Sequence, residues 1–221
     1  MLKDILGKMK IEIGEREEKL FDLYYANLIS WNEKFNLTAV TERNEVDVKH
    51  FADSLAALDL FPKDARLVDV GSGAGFPAIP LKIVRDDLDI TMLDALNKRV
   101  TFLKDTLAVL ELPGTALHLR AEEAAYTSMR ESFDAATARA VAKIKILAQY
   151  LLPLLKVGGR AVLYKGGDVE AELKEAEGAI KALGGVVTKA ERRDFEGLGR
   201  TIVVIDKVFS TPNCSPRRKI K

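Results

Sequence analysis

From Arg66 onwards, short apolar runs alternate regularly with amphipathic segments. This alternation restricts the fold of the chain more than any other feature. The apolar runs predict strands at 66–70, 90–94, 116–120, 133–138, 159–165, 186–195 and 201–208. The segments between them predict helices at about 77–85, 97–110, 140–155 and 168–183. Only EGLGR separates the last two strands, which is too short for a parallel crossover, so they must form an antiparallel hairpin. The pattern therefore predicts an α/β fold built on a mainly parallel sheet.

The region before Arg66 has a different pattern, with apolar residues three and four positions apart. From Leu2 to about Ser30 this spacing predicts an amphipathic helical cap. A loop around WNEKFNLTAV follows, and a second helix is predicted from about Asn44 to Leu60. At 221 residues the chain has room for one sizeable domain and a short extension, and two full domains would be cramped. We divide it into an N-terminal helical extension packed on the core, a main domain and a basic C-terminal tail, at 1–62, 63–210 and 211–221.

The turn after the first predicted strand reads DVGSGAGFPAIP and contains Gly71, Gly73 and Gly75. Glycine-rich turns between a strand and a helix hold nucleotide cofactors, because the missing side chains let the backbone approach the ligand. The turn alone does not identify the cofactor. The dinucleotide fingerprint G-x-G-x-x-G/A puts Phe76 at its third small position when aligned on Gly71, and puts Ala78 there when aligned on Gly73.

Two acidic residues and the closing hairpin bear on this choice. Asp94, at the end of the second strand, suits the ribose diol of NAD and that of S-adenosylmethionine equally. Asp69 lies just before the turn, where it could hold the loop or approach a cationic amino-acid group, and where it would repel a pyrophosphate. The antiparallel ending is typical of class I S-adenosylmethionine-dependent methyltransferases, by fold-level analogy. We therefore predict that Rossmann-like fold, with a seven-stranded sheet whose last strand is antiparallel.

Composition argues against several other classes of protein. Cys214 is the one cysteine, and His50 and His118 are the two histidines, so we expect neither a disulfide framework nor a metal site. No run of about 18 uncharged apolar residues suggests a membrane span, and the N-terminus lacks the pattern of a signal peptide. We expect a cytoplasmic protein. The net charge of +1 neither requires nor excludes a nucleic-acid partner.

Several stretches, in order over most of the chain, resemble the RsmG (GidB) family of bacterial methyltransferases of small-subunit ribosomal RNA. They are WNEKFNLT, KHFADSL, DVGSGAGFPAIPLKIV, LDALNKRVTFL, RAEE, FDAATARAVA and TIVVIDK. The chain departs from the family at Ala78, where glycine is common, and in a tail that ends soon after PRR. The resemblance implies S-adenosylmethionine as cofactor and S-adenosylhomocysteine as product. It also implies 16S rRNA or the 30S subunit as partner, with methylation at N7 of guanine 527.

The resemblance also implies cofactor-site residues, namely Gly71, Phe76, Ala121, Glu122 and Arg139, and the pattern of the turn and the strand end adds Gly73 and Asp94. The glycines would admit the methionine part, Phe76 would pack on an apolar part of the ligand, and the Ala121 N–H would lie beside the adenine edge. Arg139 would bind the cofactor carboxylate or the RNA, and it is the one candidate catalytic residue. Basic residues around the carboxyl edge of the sheet, and in the tail, are the candidates for RNA binding: Lys98, Arg99, Lys143, Lys165, Arg217 and Arg218.

The chemistry of the chain agrees with methylation at guanine N7. N7 carries a lone pair and no proton, so no general base is required. Methylation at cytosine C5 requires a cysteine nucleophile, for which Cys214 in the tail is a poor candidate. Amino-group methylation usually shows an Asn/Asp-Pro-Pro-aromatic motif, where this chain reads ATARAVAK, and a carboxylate/Asn metal cluster for O-methylation is not evident.

Some alternatives stay open from the sequence. The chain could be a noncatalytic RNA-binding ribosome-assembly factor with the same fold, or an NAD-dependent oxidoreductase. Trp31, Asn36 and His50 could form an RNA-facing rim, or Trp31 and His50 could join the cap to the sheet by packing. We expect a monomer.

Overall fold

The computed structural model describes residues 1–140 and 142–212, and within them the strands form one sheet. The strands are β1 (Arg66–Val70), β2 (Asp89–Asp94), β3 (Thr115–His118), β4 (Phe133–Arg139), β5 (Leu155–Gly166), β6 (Gly185–Phe195) and β7 (Leu198–Lys207). The α-helices are α1 (Leu2–Lys8), α2 (Glu15–Phe35), α3 (Arg43–Val46), α4 (Asp53–Leu55), α5 (Ala78–Val84), α6 (Asn97–Val109), α7 (Ala121–Ala124), α8 (Ile144–Leu151) and α9 (Glu170–Ala182). A π-helical segment spans Asp47–Ala52, and short 3₁₀ turns span Leu58–Leu60 and Leu152–Leu154.

The strand order is β3-β2-β1-β4-β5-β7-β6. Strands β1 to β5 are mutually parallel, and β1 lies in the middle, with Leu67 opposite Ile90 of β2 and Ala135 of β4. The order reverses at β1, so the carboxyl ends of β1 and β4 flank a crevice, which is where open α/β sheets bind ligands.

The closing hairpin is confirmed. Strand β7 inserts between β5 and β6 and is antiparallel to both, with Val203 opposite Leu163 of β5 and Ala190 of β6. The predicted seven-stranded, mainly parallel sheet is therefore the one observed.

The two faces of the sheet are covered by different helices because side chains alternate along each strand. Leu67, Met92 and Tyr164 lie on the face that packs on α5, α6 and the N-terminal helices. Val68 and Leu163 lie on the opposite face, under α8 and α9. The N-terminal region thus shares its hydrophobic core with one face of the sheet.

Two predictions about the N-terminal region were wrong. The expected helix from Leu2 to Ser30 is two helices, because Lys10 adopts a φ of 60° and Gly14 starts a new helix by donating its N–H to Glu17 Oε2 at 2.8 Å. The second of these, α2, runs on through the WNEKF segment that was expected to be a loop. It ends only at Asn36, whose φ of 48° is the left-handed conformation that terminates helices.

The single helix expected from Asn44 to Leu60 is also wrong. The chain there passes from α-helix to π-helix, back to α-helix and then to a 3₁₀ turn. In the main domain, the helix predicted to start at 140 starts at Ile144, because Ala140 has a φ of 56°. Strand β3 ends at His118, before 120, and the short helix α7 was not predicted.

Among the residues at 1–140 and 142–212, no helix combines the length and apolar character needed to cross a bilayer.

Candidate functional site

The glycine-rich turn follows β1 and is anchored to β2. Gly71 N and Ser72 N both donate to Leu93 O, at 2.8 and 3.2 Å. Gly71, Gly73 and Gly75 have φ values of 73°, 58° and 90°, which residues with a side chain rarely adopt. Every second residue from 71 to 75 therefore has a positive φ, which explains why the turn contains three glycines.

Asp94 holds this turn to the start of the next helix. Its Oδ2 accepts from Gly73 N at 2.9 Å, and its Oδ1 accepts from Leu96 N at 2.9 Å. Arg99 Nη1 lies 3.5 Å from Oδ2, and the Asp94 side chain is only 3% exposed. The expectation that Asp94 binds a ribose stays a prediction, and in this structure the carboxylate already organises the loop.

Asp69 is a buried carboxyl group beside the glycine-rich turn. Neither of its side-chain oxygens has a hydrogen-bond partner among the described residues, and its exposed fraction is 0%. Burial raises the pKa of Asp69 to about 7. An unsatisfied buried carboxylate is costly, so its place at the carboxyl end of β1 suits a cationic ligand group.

A cavity of about 160 Å³ adjoins the turn. Its lining includes four of the predicted cofactor residues, Gly71, Asp94, Ala121 and Glu122, so the fold brings these four together, and their binding of a cofactor stays a prediction. Tyr150, which the sequence gave no reason to select, lines the same cavity and donates its hydroxyl to Glu122 Oε1 at 3.0 Å.

A larger cavity of about 310 Å³ lies between the N-terminal helices, lined by residues such as Lys3, Phe21 and Arg43. It contains none of the predicted site residues.

Phe76 is packed into the protein and is only 6% exposed. Its ring stacks on His50 with centroids 4.6 Å apart, and Tyr24 lies 5.5 Å away. The Arg139 guanidinium carbon lies 4.9 Å from the same centroid, in cation–π geometry. Phe76 therefore packs the glycine-rich turn against the N-terminal region. Its contact with a ligand stays a prediction.

His50 is neutral at physiological pH. Its Nδ1 donates to Lys49 O at 3.1 Å, and its Nε2 accepts from Thr38 Oγ1 at 2.9 Å. Burial, followed by the positive charge of Arg139, lowers the pKa of His50 to about 4. These contacts favour the packing role of His50 over an RNA-facing one.

Arg139 ends β4 and is bound by an acidic residue of the N-terminal region. Its Nη1 donates to Asp53 Oδ2 at 2.7 Å and to Lys49 O at 3.3 Å. Arg200, near the start of β7, binds the same carboxylate through two further hydrogen bonds. Asp53 and Arg200 were not selected from the sequence, although Asp53 lies within KHFADSL and Arg200 closes EGLGR.

The predicted RNA-binding residues in the described part of the chain lie at or just after the carboxyl ends of three strands, β2, β4 and β5. Lys98 donates to Phe35 O at 3.4 Å, and Lys143 lies 3.6 Å from a Glu175 oxygen with its side chain 68% exposed. Lys165 is less available, because its side chain is 14% exposed and contacts Glu172 at 2.9 Å. Arg217 and Arg218 lie outside the described residues.

Trp31 and Asn36 have structural roles. Trp31 donates its Nε1–H to Asp105 Oδ2 at 2.8 Å and packs on Phe35 and Phe102, which joins α2 to α6. Asn36 is the C-cap of α2.

The site fits S-adenosylmethionine on three observations of this structure. Gly73 has no side chain to obstruct the turn, Asp69 offers an unpartnered carboxylate to an ammonium, and the 160 Å³ cavity extends from Gly71 to Ala121 and Glu122.

Comparison with known proteins agrees with this geometry. A family model described as GidB, rRNA small subunit methyltransferase G, matches residues 17–195. A protein called Ribosomal RNA small subunit methyltransferase G from Desulforamulus reducens is 43% identical, over 98% of this chain and 93% of that protein. A protein of the same name from Lactobacillus helveticus is 45% identical, over 96% of this chain and 92% of that protein.

Solved structures share the fold. Precorrin-6y C5,15-methyltransferase from Geobacter metallireducens is 18% identical with a TM-score of 0.53, over 71% of this chain and 87% of that chain. M. jannaschii TYW2, solved in complex with AdoMet, is 13% identical with a TM-score of 0.57, over 72% of this chain and 76% of that chain. The predicted class I methyltransferase fold is confirmed.

Proposed function

Because this chain belongs to the GidB family, described as rRNA small subunit methyltransferase G, we propose that it methylates N7 of a guanine in 16S ribosomal RNA with S-adenosylmethionine as methyl donor. Family membership makes the chain a methyltransferase enzyme. The observation that carries the cofactor assignment is the unpartnered Asp69 carboxylate beside the glycine-rich turn.

When bound, S-adenosylmethionine supplies a methyl group on a positively charged sulfur. The turn from Gly71 to Gly75 would hold its methionine part, with Asp69 facing the ammonium. Ala121 and Glu122 would hold the adenine, and Asp94, which already orders the turn, would meet the ribose.

The chain needs no general base for this reaction, because guanine N7 is an unprotonated lone pair. His50 agrees with that requirement, since its pKa is lowered to about 4 and its two nitrogens bind Lys49 and Thr38. The protein would act by placing N7 in line with the methyl group and excluding water. Proximity and orientation of this kind contribute on the order of 7 kcal/mol or more.

The RNA would reach the site over the carboxyl edge of the sheet. Lys98, Arg99 and Lys143 follow strands that end there, and cations at this edge would neutralise phosphates. We place the enzyme in the cytoplasm and expect it to act as a monomer.

The decisive experiment is transfer of a tritiated methyl group to 30S subunits and to naked 16S rRNA, followed by mass spectrometry of the nucleosides. We expect label in 7-methylguanosine from the wild type and none from Gly73→Asp, whose side chain would fill the turn. Label in another nucleoside would contradict the N7 assignment. Binding of 30S subunits with no transfer to either RNA would indicate a noncatalytic assembly factor.

A further inference from the structure

Asp53 is the centre of a buried cluster of three charges. Its Oδ1 accepts from Arg200 Nε at 2.6 Å, and its Oδ2 accepts from Arg200 Nη2 at 2.9 Å and from Arg139 Nη1 at 2.7 Å. The side chain of Asp53 is 0% exposed, that of Arg139 10% and that of Arg200 24%. Removing one partner from a buried ion pair strongly destabilises a protein, because it leaves a buried charge without compensation.

The members of the cluster come from three distant parts of the chain. Asp53 follows the π-helical segment, which also supplies Lys49 O to Arg139 and the His50 ring to Phe76. Arg139 ends β4, and Arg200 lies just after the turn of the closing hairpin. Such π-helical segments frequently mark functional sites.

The two arginines bind the carboxylate differently. Arg200 engages both oxygens in the two-point manner that arginine prefers with carboxylates. Arg139 then makes only one bond to Asp53, through Nη1, and its Nε and Nη2 have no hydrogen-bond partner at 1–140 or 142–212. Without Arg200, both oxygens of Asp53 would be free to take the Arg139 guanidinium in the same two-point manner.

The charges in the cluster do not cancel, because two guanidinium groups face one carboxylate. Asp53 alone therefore does not neutralise both arginines, and Arg139 also interacts electrostatically with the buried Asp69 carboxyl. The Arg139 guanidinium lies over the Phe76 ring at 4.9 Å, whereas Arg200 occupies both oxygens of Asp53.

We propose that Asp53 and Arg200 are positioning residues that hold Arg139 by one nitrogen and so leave its Nε and Nη2 to bind the carboxylate of the methionine part of the cofactor. This inference rests on the proposed function, since it concerns the same site. It assigns to the closing hairpin a part in ligand binding through Arg200.

The test is calorimetry of the purified full chain with two ligands. S-adenosylhomocysteine has the methionine-derived carboxylate, and 5′-methylthioadenosine has the same nucleoside and thioether without it. We expect Arg200→Lys, which keeps the charge and loses the two-point contact, to weaken S-adenosylhomocysteine at least about tenfold and to leave methylthioadenosine within about twofold. In an Arg139→Gln background, Arg200→Lys should have no further effect.

Arg193→Lys is the matched control. Arg193 lies on the same hairpin, its side chain is also 24% exposed, and its two nitrogens bind Asp59, a different carboxylate from the one that binds Arg139. The Arg193→Lys variant should bind both ligands with unchanged affinity. Asp53→Asn, checked for folding by circular dichroism, should also weaken S-adenosylhomocysteine selectively, because it removes the ionic hydrogen bond that positions Arg139.

Unchanged affinity of Arg200→Lys for S-adenosylhomocysteine, or equal weakening of both ligands, would overturn the inference. The same holds for an undiminished effect of Arg200→Lys in the Arg139→Gln background. Failure of the cofactor assignment would look different, because the wild-type chain itself would then bind neither ligand. Failure of the N7 assignment alone would leave both affinities unchanged and would appear only in the methyl-transfer experiment.

Discussion

At the scale of single residues, Gly75 is a glycine for reasons of conformation and of space. Its φ is +90°, and a Cβ placed on it would lie 2.5 Å from Ile79 Cδ1 and 2.7 Å from the Tyr24 hydroxyl. We expect Gly75→Ala to lower the free energy of unfolding by about 2–5 kcal/mol, from backbone strain and overpacking together. Urea denaturation measures this loss.

Gly158→Ala is its control, because Gly158 has the same φ of +90° and nothing within 4 Å of its built Cβ. Only the strain of about 1–3 kcal/mol should remain there. Equal losses at the two positions would show that the contact with Tyr24 and Ile79 is unimportant.

Asp69 gives a pH-dependent prediction. Its pKa, raised to about 7 in the folded chain by burial, stands above the ordinary 3.8, so the folded state binds more protons than the unfolded state between those values. The wild type should therefore lose stability relative to Asp69→Asn as pH rises from about 4 to about 7, and the difference should stay constant above that. Thermal unfolding of the two ligand-free proteins across this range measures it.

The same residue should show the opposite preference when a ligand is added. The ionised Asp69 would pair with the ammonium of S-adenosylhomocysteine, so its binding to the wild type should tighten between about pH 6 and 8. Binding to Asp69→Asn should be at least about tenfold weaker at pH 8, because a charged hydrogen bond is lost. A parallel pH profile for both proteins would refute the pairing.

At the scale of secondary-structure elements, α2 connects the N-terminal region to the sheet. Leu28 is 0% exposed on this helix, whereas Leu23 is 47% exposed. We expect Leu28→Ala to cost about 2–5 kcal/mol of unfolding free energy, since it leaves a cavity in the core that joins the helix to the sheet. Leu23→Ala should cost less than about 0.5 kcal/mol. Denaturant titrations of both variants compare them directly, and similar costs would mean that α2 is not docked as described.

At the scale of the whole molecule, the carboxyl edge of the sheet should be where RNA binds. Lys143 lies at this edge with its side chain 68% exposed, whereas Lys181 lies in the last turn of α9, beside the opposite edge, where β6 begins. We expect Lys143→Gln to weaken binding of 16S rRNA about three- to tenfold and to reduce the salt dependence by about one counterion. Lys181→Gln should leave both unchanged. Filter binding at several salt concentrations measures the affinity and its salt dependence. Equal effects of Lys143→Gln and Lys181→Gln would show that the RNA does not bind preferentially at this edge.

Local sequence patterns were enough to predict the architecture of the main domain. Apolar runs predicted the strands, and the short EGLGR connection predicted the closing hairpin. Both features can be read from residues that are adjacent in the chain, namely the spacing of apolar residues and the length of the loop. The same rules failed between Asn44 and Leu60. Helical periodicity there did not distinguish an α-helix from the π-helical segment Asp47–Ala52, which carries His50 and is followed by Asp53.

By itself, the sequence determined where the strands lie along the chain and where the glycine-rich turn lies, because local pattern locates strand ends. Of the residues that line the cavity, it indicated Gly71 and Asp94 by their spacing, and Ala121 and Glu122 through the resemblance to the family. Only the tertiary structure decided that Asp94 holds the turn, that Phe76 is packed by His50, and that Asp53 and Arg200 hold Arg139. The physical reason is that these contacts join residues far apart in the chain. A buried charge takes whichever partner the fold brings within hydrogen-bond distance, and no spacing in the sequence records that distance.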